Sequence, residues 1–289
     1  MKFATAIVNQ EPVAGFIQSE RFIPFFDASN GKLPKTMLEA IELGDQLIQA
    51  VNDLRKTNLD DVSIPLNSVK LAAPIPRPRK NIFCVGKNYA AHAIELGSEA
   101  DIPKAPIFFS KTPTTVIGPD EKIPRHEKVT NALDYEGELA VIIGKTGSAI
   151  SEEEAFDYVF GYTILNDVTA RDLQEKHIQY LLGKSLDGTC PMGPYIVHKS
   201  QIANPHELTI ETKVNGEVRQ NASTKQMIFN IPTLISILSQ GMTLEAGDII
   251  ATGTPAGVGM GFQPPKYLQP GDKVEISIEG IGTLTNTIE

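Results

Sequence analysis

Residues 133–143, Leu133-Asp134-Tyr135-Glu136-Gly137-Glu138-Leu139-Ala140-Val141-Ile142-Ile143, lead three carboxylates at two-residue spacing into an unbroken apolar run. An extended chain has a side-chain period of two, so Asp134, Glu136 and Glu138 fall on one face of a strand, with neighbours roughly 6–7 Å apart. An acidic pair on a strand is ordinarily a solvated edge. Here Glu138 is joined directly to Leu139-Ala140-Val141-Ile142-Ile143, a run bound for the core. Clustered carboxylates beside a core repel one another and lose hydration unless a cation neutralises them.

Two further segments complete the constellation. In Tyr162-Thr163-Ile164-Leu165-Asn166-Asp167-Val168-Thr169, Asp167 stands where an apolar strand gives way to a helix, a place from which functional side chains project and also one where Asp serves as a helix cap. Three carboxylates without His or Cys suit a hard cation, Mg²⁺, Mn²⁺ or Ca²⁺, better than zinc. In Val85-Gly86-Lys87-Asn88-Tyr89-Ala90-Ala91-His92-Ala93-Ile94-Glu95-Leu96-Gly97, His92 and Glu95 are three apart and share a face on a helical turn. Most such pairs lie on a surface, but this is also the arrangement of a general base with its orienter. The flanking Gly86 and Gly97 are suited to hinges of a closing lid.

Away from these segments the pattern is strand-rich. Strands are predicted at Lys2–Val8, Val13–Gln18, Arg21–Phe26, Asn81–Val85, Ile107–Ser110, Glu138–Ile143, Gly161–Leu165, Leu208–Val214, Asp248–Thr252 and Val274–Ile278. Thr36 with Glu39 has capping-box spacing and opens one helix through Leu54, and Ser151 with Glu154 repeats the spacing. Thr169 opens a polar helix, Pro232 fits a first helical turn, and Asn215-Gly216 signals a type I′ hairpin. Pro74, Pro76 and Pro78 favour an extended connection. The expected organisation is a small N-terminal α+β domain (1–73), a proline-rich linker (74–80) and a catalytic domain (81–289). No strict βαβ alternation or repeat is visible, so the fold class is α+β, a strand-rich mixed β-sandwich or roll.

Composition sets limits on function. The chain has 289 residues, 41% hydrophobic and 21% charged, as ordinary globular proteins do. No apolar run approaches a membrane span, and the N-terminus lacks a secretory core, so a soluble, cytoplasmic protein is expected. Cys84 and Cys190 form no CxxC pair, which argues against a disulfide framework or zinc knuckle. A net charge of −9 without a basic cluster leaves nucleic acid out as a partner. Three familiar motifs fail on inspection. Gly183-Lys184-Ser185 lacks the first P-loop glycine, where Ile178 stands; Gly257, Gly259 and Gly261 are followed by Pro264-Pro265 rather than a helix; Asp187 breaks a nucleophile elbow at Ser185. The glycine-rich loop is better read as mobile or as approaching a ligand.

Taken in order, VGKNYAAHAIELG, FFSKTPTT, DYEGELAVIIGK, NDVTARDLQ, GKSLDGTCPMGPY, VNGEVRQ, MIFNIPTLIS and GDIIATGTPAGVG resemble the fumarylacetoacetate hydrolase family across the C-terminal two-thirds of the chain. The resemblance implies that Glu136, Glu138 and Asp167 hold Mg²⁺ or Mn²⁺, that His92 and Glu95 lie on a lid and handle protons or water, and that Lys184 counters substrate charge. It also places Lys111, Arg171, Gln174 and Thr254 around the substrate and implies a homodimer acting on a 2-oxo or diketo acid. The first functional expectation is hydrolysis of a C–C bond in an acylpyruvate of the fumarylacetoacetate or fumarylpyruvate type. Decarboxylation of oxaloacetate, or isomerisation of an unsaturated oxo-diacid, is the alternative. A catalytically silent dicarboxylate-binding protein is the alternative of another class, against which stands the presence of a base that a pure binder does not need.

Overall fold

The structure, a computed structural model, describes residues 1–289. The N-terminal segment is an antiparallel meander, β1 (Lys2–Val8), β2 (Glu11–Gln18) and β3 (Arg21–Pro24), followed by helices α1 (Phe25–Ala28), α2 (Met37–Glu42) and α3 (Asp45–Leu54) and short strands β4 (Ile64–Pro65) and β5 (Lys70–Ala72). Next come β6 (Ile82–Gly86), α4 (Ala90–Glu95), β7 (Ile107–Lys111), β8 (Val116–Ile117), β9 (Lys122–Ile123) and β10 (Leu133–Asp134). The long pair β11 (Gly137–Ile143) and β12 (Val159–Asn166) precedes β13 (Thr169–Ala170), α5 (Arg171–Lys176), α6 (Leu181–Lys184) and β14 (Cys190–His198). The chain ends with β15 (Thr209–Val214), β16 (Glu217–Ser223), α7 (Ile231–Ser239), β17 (Ile249–Ala251), β18 (Lys273–Ile278) and β19 (Gly282–Ile288).

The principal sheet runs β4-β3-β2-β1-β14-β12-β11-β17-β6-β7, and a second runs β16-β15-β18-β19-β9. Both contain parallel and antiparallel pairs, as at β17 with β6 and β19 with β9, so the α+β, strand-rich mixed architecture expected from the sequence is the one present. At the centre β11 is hydrogen-bonded to β12 on one side and β17 on the other. Leu139, Val141 and Ile143 enter the core on one face, with side chains of the second sheet; Ala140 and Ile142 enter the core on the other, with Met37, Ile41, Leu47 and Val51 of α2 and α3. Burial on both faces is why this strand reads as a continuous apolar run rather than an alternating one. Each large side chain so buried contributes about 1.5–3 kcal/mol.

The N-terminal meander joins the same sheet through β1 and β14, with Lys2 opposite Val197 and Phe3 opposite Ile196. Phe3 packs against Phe25 and Phe160, ring centroids 6.0 and 5.2 Å away. Local signals behave largely as their chemistry requires. Glu39 N–H donates to Thr36 Oγ1 at 3.4 Å, Thr233 N–H donates to Asn230 Oδ1 ahead of α7, and Asn215 and Gly216 take φ values of 52° and 81°, as a type I′ turn demands. Two differences have clear causes. The single helix expected after Thr36 is two, because Gly44 turns to φ 54° between α2 and α3. Ser151 accepts the Glu154 N–H at 3.3 Å but opens no helix: only a 3₁₀ turn at Ala155–Tyr158 follows, since β12 begins at once.

Candidate metal centre and active-site cavity

The register of β11 on β12 builds the site, because Gly137 lies opposite Asn166 and the residues flanking that pair are Glu136, Glu138 and Asp167. Glu136 N–H donates to Asn166 Oδ1 at 3.0 Å, and Asp167 N–H donates to the Glu136 carbonyl at 2.9 Å. The three carboxylates are buried and offer oxygens that all lie within 4.8 Å of one another. Glu138 is additionally held by the Gly253 N–H at 2.8 Å.

Three buried cations surround them. Lys184 Nζ bridges Glu136 Oε2 and Asp167 Oδ2 at 2.7 Å each, Arg171 Nη2 lies 2.7 Å from Glu136 Oε1, and Lys111 Nζ lies 2.8 Å from Asp167 Oδ1. Lys111 also donates one of its three protons to the Val168 carbonyl at 3.0 Å. Counting Asp134, which pairs with Arg171 Nε at 2.9 Å, four carboxylates face three cations and one negative charge is left over. The imbalance falls on Glu138. Burial and then the Asp167 and Glu136 charges push its carboxyl well above the usual range. Burial also works to raise Glu136, but Lys184 and Arg171 outweigh it and hold the group at about 2. Lys184 is raised because Asp167 and Glu136 overcome the desolvation that would lower it.

An oxygen-only donor set and a deficit of positive charge fit a divalent ion. Oxygens on opposite sides of an ion are two ligand lengths apart, about 4.2 Å for Mg²⁺ and about 5 Å for Ca²⁺. The triad oxygens all lie within 4.8 Å of one another, which sets them no more than about 2.8 Å from a common centre, against about 2.1 Å for Mg²⁺ and about 2.4 Å for Ca²⁺, so each side chain closes by less than about an ångström on binding.

Above the carboxylates lies a cavity of about 310 Å³ whose walls include His92, Glu136, Arg171, Gln174, Lys184 and Thr254. Glu138 and Asp167 lie beneath it. Lys111, expected to line the substrate space, is fully buried and not on the wall; it underpins Asp167. His92 and Glu95 are both on α4, with His92 Nδ1 3.3 Å from Glu95 Oε2, and Glu95 Oε1 accepts the Gly257 N–H at 2.9 Å. The helix is anchored by Asn88, whose amide donates to the Thr252 and Phe229 carbonyls and whose Oδ1 accepts from Phe229 N–H. Val85, Leu96, Phe109 and Met260 make the rest of the wall largely apolar.

Several residues here lie outside the set that the sequence singles out as site residues. Lys87, at φ 52°, also lines the cavity, and no local pattern marks a lysine for that conformation. Asp134 leaves the carboxylate face it shares with Glu136 by period, because β10 ends at Asp134 and β11 begins at Gly137. Gln220, within the recognised VNGEVRQ segment, donates to Thr254 Oγ1 at 2.7 Å and accepts the Gly137 N–H at 3.0 Å.

Residues 81–289 match the family model described as fumarylacetoacetate (FAA) hydrolase, C-terminal. The oxaloacetate tautomerase YisK of Bacillus subtilis is 54% identical over 300 aligned residues that cover all of both chains. Among solved structures, a fumarylacetoacetate hydrolase from psychrophilic Exiguobacterium antarcticum is 43% identical with a TM-score of 0.85, over 100% of this chain and 99% of that one. A 2-hydroxyhepta-2,4-diene-1,7-dioate isomerase from Mycobacterium marinum is 32% identical with a TM-score of 0.76, over 100% and 98%.

Proposed function

The chain belongs to the fumarylacetoacetate hydrolase family, and from that premise we propose that it catalyses keto–enol tautomerisation of a small 2-oxo dicarboxylic acid of the oxaloacetate type. The observation that carries this reading is the placement of His92, backed by Glu95, on the wall of a cavity that Glu136, one of the three clustered carboxylates, also lines. A full-length relative named for oxaloacetate tautomerisation supports the isomerase alternative ahead of the C–C hydrolysis expected first from the motifs. The motifs by themselves point to oxaloacetate only as a substrate for decarboxylation.

Tautomerisation moves one proton between the carbon next to the oxo group and the oxo oxygen, with no water attacking. In this reading Glu95 engages His92 Nδ1 and leaves Nε2 to exchange that proton, while Arg171, Gln174 and Thr254 take the substrate's polar ends and Lys184 faces the developing negative charge. A positioned acid–base group of this kind contributes about 10²–10⁴-fold. Glu136, Glu138 and Asp167 would hold the divalent ion, which we take as Mg²⁺ or Mn²⁺, and when bound it would supply Lewis-acid polarisation of the oxo group. The family resemblance extends the proposal to a homodimer as the working unit.

The test follows the ultraviolet band of enol oxaloacetate, freshly dissolved, as it relaxes to the keto form. Protein loaded with Mg²⁺ or Mn²⁺ is expected to speed the decay, and chelator is expected to remove the effect. Pyruvate and CO₂ are scored in parallel, with acetylpyruvate as a second substrate. Decay at the buffer rate together with cleavage of acetylpyruvate would overturn the proposal in favour of hydrolysis, and enzyme-dependent CO₂ release in step with the decay would overturn it in favour of decarboxylation.

A further inference from the structure

The glycine-rich loop after β17 reaches the cavity wall only through Met260, and its other contacts are unusual for a connector. Gly259 N–H donates to Asp134 Oδ1 at 2.7 Å and Met260 N–H to Asp134 Oδ2 at 3.0 Å. The same buried carboxylate accepts Arg171 Nε at 2.9 Å and the Tyr135 N–H at 2.9 Å. Two positions earlier the Gly257 N–H donates to Glu95 Oε1. One short stretch of backbone is thus clipped from below by Asp134 and from above by the carboxylate that orients His92.

The glycines fit that arrangement sterically. A Cβ on Gly259 would stand 2.6 Å from Asp134 Oδ1, and one on Gly261 would stand 2.3 Å from the Glu95 carboxylate. Both are closer than real side chains approach. At Gly259 the Lys266 carbonyl, 2.4 Å from such a Cβ, closes the space as backbone, whereas at Gly261 only the Glu95 side chain does so. The loop's hydrogen bonds make it a seat for α4, while Met260 brings it to the cavity wall, where the sequence reading allowed a loop that approaches a ligand.

We propose that Asp134 is a positioning residue: by holding the Gly259 and Met260 amides it presents the Gly257 N–H to Glu95, and through Glu95 it sets the orientation of His92. The inference rests on the proposed function only in taking His92 and Glu95 as the proton-transferring pair. Asp134 has a second output, because it also fixes Arg171, whose Nη1 donates to Gln174 Oε1 on the cavity wall. The two outputs separate kinetically. Loss of the loop contact acts on turnover through Glu95, whereas loss of the Arg171 contact acts on substrate binding whatever residue stands at 95.

Two experiments on the full-length, metal-loaded protein test this. The first is a double-mutant cycle on tautomerisation of oxaloacetate. Asp134→Asn is expected to lower kcat about tenfold in the native background and less than about threefold in a Glu95→Ala background, since interacting sites are non-additive. The accompanying rise in KM is expected to be equal in both. An equal fall in kcat in the two backgrounds would show a merely structural role and overturn the proposal. The second leaves Asp134 in place and so does not depend on its variant folding: residue-resolved amide exchange on Glu95→Ala. The Gly257 amide is expected to lose protection while Gly259 and Met260 keep theirs; equal loss at all three would mean that the lid, and not Asp134, holds the loop. Exchange needs no turnover, so its outcome stands even where native protein fails to tautomerise oxaloacetate, and the two failures are told apart.

Discussion

Replacing Glu138 by Gln is expected to stabilise the metal-free protein and at the same time remove its response to divalent ions. In the triad the oxygens lie within 4.8 Å of one another, and at that distance each pair of like charges costs about 3.5 kcal/mol at an effective dielectric near 20. Lys184 bonds to Glu136 and Asp167 but not to Glu138, so Glu138 carries the unrelieved part. Proton uptake caps the penalty, which leaves about 1–3 kcal/mol at neutral pH. The amide of Gln keeps an oxygen for the Gly253 N–H, so no donor is orphaned. With chelator present, the variant should melt about 2–6 °C above the native protein. The sign with pH follows from burial and the neighbouring Asp167 and Glu136 charges, which raise Glu138: its contribution to stability is full below the ordinary glutamate range and is lost as pH rises through the elevated value. That downward slope should vanish in the variant. The Glu136 contribution, present above the ordinary range and lost as pH falls toward about 2, should not. Saturating Mn²⁺ should reverse the order, since an ion at a hundred times its Kd adds about 2.7 kcal/mol to native protein alone. Scanning calorimetry with chelator and with Mn²⁺ reads all of this. A variant less stable than native protein in chelator, or equally stabilised by Mn²⁺, would refute the reasoning.

Three further outcomes are expected. His92→Ala should lower kcat by about 10²–10⁴-fold while KM and metal affinity move only a few-fold, measured by steady-state kinetics and calorimetric titration. Lys111→Met should cost about 3–5 kcal/mol of stability in chemical denaturation, because it leaves the Asp167 charge buried and short of a partner; a loss under about 1 kcal/mol would show that Lys111 is dispensable there. Phe3→Ala should cost about 3–5 kcal/mol in the single unfolding transition of the whole chain, since Phe3 belongs to a core that also contains Ala140, Ile142 and Phe160.

The acidic triad is legible in the sequence because each carboxylate adjoins an apolar run in the chain, so burial and charge are written side by side. Strand pairing then brings Glu136 and Asp167 together across the intervening chain. Other features lack a local signal. β14 goes unrecognised because Pro191, Gly193 and Pro194 read as a break; the register shift between Tyr162 and Ile164 on β12 absorbs the interruption. Lys111 reads as a strand end next to a substrate space, and its full burial depends on Asp167, which arrives from another strand. The role of Asp134 depends on the chain leaving strand geometry between Asp134 and Gly137, which the two-residue period hides. The docking of β1 on β14 joins residues far apart in the chain, Lys2 with Val197, and no local pattern encodes a pairing of that range.

On the proposed function, His92 moves a proton at the carbon beside the oxo group without breaking a C–C bond. Nuclear magnetic resonance of oxaloacetate in D₂O, with metal-loaded protein, measures that proton directly. Native protein is expected to exchange one of the two C3 hydrogens for deuterium far faster than buffer, with no matching release of pyruvate, and His92→Ala is expected to abolish the enhancement. Exchange at the buffer rate with native protein, or an enhancement that survives in His92→Ala, would contradict it.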